Sequence, residues 1–252
     1  MTIDTPSQAQ IPQLRVLWQE AFGDSDAFLD TFFTTAYSPD RCRCLTMDGK
    51  MAAALYWFRC SYMGQPIAYI YAVATAKAFR GQGLCRMLME STHAHLEELG
   101  YAGAVLVPGS ESLFRLYAGF GYRVCSGICE IPTDPKDRNI PVRRVEPEVY
   151  ARLRQELLPS GGVVQEGENL DFLQTQATLY AGPGFLLAAR QEGSQLYGLE
   201  LLGDTDAAPG ILGTLDCQSG TFRVPGDTPF AMYRPIGESI LPMPKYFGLA
   251  FD

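Results

Sequence analysis

The segment Phe79-Arg80-Gly81-Gln82-Gly83-Leu84-Cys85 points most directly to chemistry by residue type and spacing. A strand feeding an Arg-Gly-x-Gly turn that opens a helix gathers successive backbone N–H groups and the positive end of a helix dipole around one point, which makes an anion site. Glycines at 81 and 83 let backbone approach the anion closely. By itself the spacing is also that of an ordinary glycine-containing strand-to-helix turn. Two phosphate signatures are excluded. No Gly-Lys-Ser/Thr ends a triphosphate loop, and no G-x-G-x-x-G with a downstream acidic partner marks a dinucleotide.

Such a turn needs a strand before it and a helix after it, and the flanking pattern supplies both. Leu84, Cys85, Leu88, Thr92, Leu96 and Leu99 share one helical face, with Arg86, Glu90, His93 and Glu97 opposite and Gly100 as the stop. This reading leaves His93 in solvent and His95 beside the apolar face. Ile67 to Thr75 reads as the preceding strand. Upstream, Ser7 and Gln10 have capping-box spacing before a helix ended by Gly23. Asp24 or Ser25 caps a second helix that stops at Ser38-Pro39. Strands Cys44 to Met47 and Met51 to Phe58 flank Asp48-Gly49, a hairpin signal, and a second turn lies at Met63 to Pro66. Downstream come a strand from Ala104 to Val107, a short helix from Ser110 or Glu111 to Tyr117, and a strand from Tyr122 to Ile131. The order is ααβββαβαβ.

Composition narrows the partners. The 252 residues are 47% hydrophobic, enough for a sizeable core, and 20 Lys+Arg against 28 Asp+Glu give a net charge of −8. That balance argues against a nucleic-acid or membrane partner and favours a cationic acceptor. Without a basic leader or a long apolar run, the expectation is a soluble, cytoplasmic protein. The seven cysteines include no C-x-x-C pair, and with two histidines no metal site is expected. Cys85, at a helix N-terminus, is the one thiol with an activating dipole and carries a thiol-redox alternative.

Val73 to Cys85, VATAKAFRGQGLC, resembles the acetyl-CoA pyrophosphate signature of the GNAT N-acetyltransferases, Arg/Gln-x-x-Gly-x-Gly/Ala. Arg80 and Gly83 match it, and Cys85 stands where the final Gly/Ala would be. Leu113 to Tyr122 (LFRLYAGFGY) resembles the family's second signature, Tyr-x-x-x-Gly-Phe/Tyr. The likeness spans about residues 3 to 131. It implies the GNAT acyltransferase fold, an α+β (α/β) architecture whose mixed, mostly antiparallel sheet is flanked by helices, with acetyl-CoA as co-substrate and no metal. Val73, Ala74, Thr75, Arg80, Gly81, Gln82, Gly83, Leu84 and Cys85 would hold the cofactor, with Ser110 and Ser112 steadying it. The strand holding Val73 and that of Ala104 to Val107 would splay apart, a backbone N–H at the end of the former would meet the oxyanion, and Tyr117 would protonate the CoA thiolate. Tyr69 to Ala72 occupy the place where many relatives carry a glutamate base. Ordered water, Glu111 or the carboxylate of Asp252 are the candidates, the last if the apolar FGLAFD tail folds toward the site; a tail that completes a sheet is the plainer expectation.

Residues 132–141 (PTDPKDRNIP) read as a linker between a catalytic module, 1–131, and a second unit, 142–252. That unit reads as helix from Val142 to Leu158 and from Leu170 to Tyr180, then strands at Phe185 to Ala189, Gln195 to Leu202, Ile211 to Leu215, Thr221 to Val224 and Phe230 to Pro235. Neither signature recurs in it. Phe230 to Pro235 (FAMYRP) is similar to a late strand of degenerate second modules in tandem GNAT proteins, and such a module can extend the sheet, wall the acceptor pocket or form a homo-oligomer interface. The reading is an N-acetyltransferase acting on a primary amine of a small molecule or peptide. The alternative is a non-catalytic, CoA-binding or regulatory protein of the same fold.

Overall fold

In the computed structural model, which describes residues 1–136 and 140–251, local signals set most element ends. The elements run β1 (Thr2–Asp4), α1 (Ile11–Phe22), α2 (Asp26–Thr35), β2 (Cys42–Met47), β3 (Lys50–Tyr62), β4 (Gln65–Thr75), α3 (Leu84–Glu98), β5 (Gly103–Leu106), α4 (Glu111–Ala118) and β6 (Arg123–Thr133). There follow β7 (Arg143–Arg144), α5 (Pro147–Leu157), α6 (Glu168–Gln174), β8 (Thr178–Gly182), β9 (Phe185–Glu192), β10 (Gln195–Gly203), α7 (Ala208–Thr214), β11 (Ser219–Pro225) and β12 (Thr228–Pro235). Ser7 and Gln10 form the capping box, Gly23 ends α1 in the left-handed region, and the Ser25 hydroxyl accepts from the Phe28 amide to start α2. Asp48-Gly49 and Met63-Gly64 have positive φ at both positions, the two-residue turn that matches strand twist, so β2, β3 and β4 form a tight meander.

The chain divides into two compact units, Met1–Arg123 with Met232–Pro242, and Val124–Ala231 with Met243–Asp252. The division falls at Arg123, and residues 232–242 join the first unit.

In the first unit the strands lie in the order β1, β2, β3, β4, β5 and the end of β12. All neighbours are antiparallel except β4 and β5. One face carries Leu45, Leu55, Trp57 and Ile70 against Leu84, Leu88 and Leu96 of α3. On α1 and α2, Leu14, Leu17, Leu29 and Phe32 are buried, and Trp18 meets Tyr56 and Tyr71 of the sheet. Met232 to Pro235 of β12 pair with Gly103 to Leu106, and the Tyr233 ring occupies the space a Cβ on Gly103 would need.

His93 corrects the sequence reading. It is buried at 5% exposure, its Nε2 lying 2.9 Å from the Tyr122 hydroxyl, because the chain after α4 covers that face of α3. Leu99, assigned to the apolar face, is half-exposed at the helix end.

In the second unit the order is β6, β11, β10, β9, β8, β7, with β10 and β11 parallel. Parallel neighbours require a crossover, and α7 is that crossover, so Ile211 to Thr214 are helical rather than a strand. Leu170 to Tyr180 is likewise not one helix. Helix α6 ends at Gln174, and Thr178 to Tyr180 pair in β8 with β9 through the Pro183-Gly184 turn, Gly184 having φ 76°. The core gathers Phe185, Leu187, Leu196, Leu201, Ile211, Leu212 and Phe222.

Candidate active site

The site begins with a defect in β4. Ala54 faces Ala74 and Tyr56 faces Tyr71, so Ala72 and Val73 together oppose Leu55, a bulge in which Ala72 takes φ 49°. On its other edge β4 pairs with β5 only from Ile67 to Tyr69, opposite Gly103 to Val105. Ile70 to Thr75 thus run on past the pairing, and β5 ends at Leu106. A parallel edge left unpaired can take an extended ligand as an added strand.

A short 3-10 turn, Lys77–Phe79, then leads to the glycine turn. The Glu20 carboxylate of α1 accepts from the Lys77 amide and ties the two elements together. Arg80 donates from Nε to the Thr75 carbonyl at 3.0 Å. Gly81 and Gly83 have φ 76° and 77°, where a Cβ is strained, and Gly83 is the N-cap of α3. The first-turn amides of a 15-residue helix therefore open beside Arg80.

A cavity of about 520 Å³ links these pieces. Val73, Ala74, Thr75, Arg80, Gly81, Gly83, Leu84 and Cys85 line it, and Tyr117, Leu113, Leu116 and Phe120 form the wall contributed by α4 and the turn after it. Nine of the residues singled out in the sequence thus share one cavity. Exposed Gln82 is outside the lining, as are Ser110 and Ser112, whose hydroxyls bond each other at 2.9 Å. Sequence reasoning missed Ala21, Phe22 and Arg86, and gave no role to Phe79 within the signature. Phe22 had one weak signal, an apolar residue just before the capping Gly23. In the structure it is half-exposed and meets Trp18 edge-on.

Burial, then the neighbouring Cys85, pushes the Tyr117 phenol up, so it keeps its proton through the physiological range. Burial also raises the Cys85 thiol, more than the adjacent Arg86 lowers it, so the helix dipole does not make Cys85 a reactive thiolate and the redox alternative loses its motivation. Glu111 is exposed, is held by Arg115 at 2.9 Å and lies outside the lining. Among the described lining residues there is no Asp, Glu or His. Asp252 lies outside the described residues. The tail before it packs within the second unit, where Tyr246, Phe247, Leu249 and Phe251 are buried and Tyr246 bridges to Gly162.

A family model described as an acetyltransferase (GNAT) domain matches residues 2–125. No curated protein matches the sequence. Among solved structures, a GCN5-related N-acetyltransferase from Anabaena variabilis aligns with TM-score 0.74 at 20% identity, over 94% of this chain and 73% of that one. A probable N-acyltransferase from Enterococcus faecalis gives 0.71 at 18%, over 93% and 72%. A GCN5-related N-acetyltransferase from Kribbella flavida gives 0.70 at 15%, over 93% and 70%. These likenesses speak for the fold, and the match of residues 2–125 shows that the chain carries an acetyltransferase domain of the GNAT family, a family of acyltransferases.

Proposed function

We propose that this protein is an N-acetyltransferase that moves the acetyl group of acetyl-CoA to a primary amine. The observation that carries this reading is the single cavity joining the open end of β4, the Arg80–Cys85 turn and Tyr117. The pyrophosphate sits on the first amides of α3 and Arg80, with Gln82, Ser110 and Ser112 as rim contacts. The pantetheine arm lies along Ile70 to Thr75. The amine attacks the thioester carbonyl, and a backbone N–H at the Ala72–Val73 bulge meets the developing oxyanion. As the C–S bond breaks, the Tyr117 hydroxyl gives its proton to the thiolate. The amine's own proton leaves by ordered water, since the described lining holds no side-chain base; Asp252 remains the carboxylate candidate.

The net charge of −8 favours a cationic acceptor such as a polyamine, an aminoglycoside or a basic peptide. Residues 142–252, apart from the stretch 232–242 that joins the first unit, act as a degenerate second module, and the protein works in the cytoplasm. Calorimetric titration with acetyl-CoA tests the donor site. Micromolar binding that is lost in an Arg80→Ala, Gly83→Asp variant supports it, and absence of binding to the folded wild type removes it. Binding without CoA release across a panel of amines would favour the non-catalytic reading.

A further inference from the structure

We propose that Arg234, together with Tyr122 and His93, is a positioning residue for Tyr117, so that residues 232–242 complete the acyltransferase site from outside the stretch carrying the family signatures. The inference rests on the assignment of Tyr117 as the acid.

The Tyr117 hydroxyl has no hydrogen-bond partner among the described residues, so backbone and packing place the ring. The Tyr117 carbonyl accepts from two amides of the following turn, Phe120 at 2.9 Å and Tyr122 at 3.1 Å. Whatever fixes that turn fixes Tyr117. Three groups do so. Arg234 donates from Nη1 to the Phe120 carbonyl. The Arg86 guanidinium lies 4.7 Å from the centre of the Phe120 ring. The Tyr122 hydroxyl meets His93 Nε2 at 2.9 Å, which locks the turn to the helix that carries the glycine turn. The Tyr117 ring packs edge-on against both Phe120 and Tyr122, each at 6.0 Å between centroids. Gly121, at φ 88°, supplies the left-handed conformation this turn needs, and the Arg234 guanidinium passes it at ordinary contact distance, 3.7 Å from the place of a Cβ. Arg234 reaches this place because Met232 to Pro235 pair with β5.

The experiment is a double-mutant cycle in the full-length protein, with acetyl-CoA as donor and spermidine, an aminoglycoside and a lysine-rich peptide as acceptors. Arg234→Met should lower kcat about tenfold and leave acetyl-CoA affinity within about twofold. Arg234→Lys should recover part of the loss, and Arg234→Met should cost nothing further on a Tyr117→Phe background, because nothing is left to position. If Arg234→Met fails to fold, Tyr122→Phe, which removes only the hydroxyl that His93 meets, takes its place with a smaller expected loss. A slow Tyr117→Phe whose loss simply multiplies with that of Arg234→Met, or an Arg234→Met enzyme with wild-type kcat, overturns the positioning role alone. A Tyr117→Phe enzyme with wild-type kcat removes the acid assignment and this inference with it.

Discussion

Arg80 Nε lies 3.0 Å from the Thr75 carbonyl, so the guanidinium that follows the open strand is anchored to that strand's last residue. The anion turn and the unpaired edge are thereby one piece. The remaining guanidinium donors are exposed at the cavity rim, where a phosphate would find them pre-oriented. A hydrogen bond to a charged group contributes about 1.5–3 kcal/mol, which corresponds to roughly 10- to 100-fold in affinity. Arg80→Ala should weaken acetyl-CoA binding by that factor in calorimetry. Arg80→Lys should fall between the two, since it keeps the charge and loses the fork. An unchanged dissociation constant in Arg80→Ala would remove Arg80 from the site.

Tyr117→Phe isolates the acid. The ring stays, the proton goes, and general acid catalysis is typically worth about 10²-fold or more. The turnover number should fall by that amount with acetyl-CoA affinity unchanged. Because burial and Cys85 raise the phenol above its ordinary value of 10, Tyr117 stays protonated as pH climbs to 10. The rate should therefore rise with pH as the acceptor amine deprotonates, with no alkaline loss below pH 10 from Tyr117. A falling limb between pH 8 and 10 would contradict this.

The first half of the chain was legible because its signals are local. Asp48-Gly49, Gly23 and the Arg80–Gly83 turn specify conformation within a few residues, and the two stretches that resemble the family signatures, around Arg80 and Tyr117, line one cavity. What escaped depended on pairing at a distance. His93 has a polar type and a polar helical phase, yet Tyr122 covers it. Ile211 to Leu215 has strand-like residues, yet the parallel pairing of β10 and β11 demands a crossover helix there. Arg234 lies in a segment read as a strand and noted for its likeness to another module, and nothing local ties it to Phe120, 114 positions earlier.

His93 should make the protein acid-sensitive. Burial first, then the Arg234 charge, push its pKa down from 6.5 to about 3. Above pH 6.5 the imidazole is neutral in both folded and unfolded chains and costs nothing. Below 6.5 the unfolded chain takes up a proton that the folded chain refuses, so stability is lost progressively until about pH 3. At 1.36 kcal/mol per unit the loss is on the order of 5 kcal/mol at most. Urea melts from pH 7 to 4 should show this decline, and His93→Gln, which cannot titrate, should flatten it. Equal slopes in the two proteins would refute the assignment.

In the second unit a buried ion pair governs the tail. Arg154 reaches Glu200 through Nε at 2.7 Å and Nη2 at 2.9 Å, both side chains almost fully buried. Tyr246 donates to the same carboxylate at 3.0 Å, and Gln165, which also meets Arg154, donates to the Leu249 carbonyl at 2.8 Å. Gly248 lets the tail pass, since a Cβ there would strike the Tyr246 hydroxyl and stand 3.0 Å from Glu200. Removing one partner strands a buried charge, at a cost of about 3–5 kcal/mol, whereas replacing both with apolar residues of similar volume is often neutral. Glu200→Gln should therefore destabilise strongly, and Arg154→Met with Glu200→Leu should recover most of the loss. Exposed Lys245 gives a readout of the tail itself. Trypsin should cut after Lys245 faster in Glu200→Gln than in wild type, under conditions where the rest of the chain is still folded. Equal cleavage rates would mean that packing of Phe247, Leu249 and Phe251 holds the tail without the ion pair.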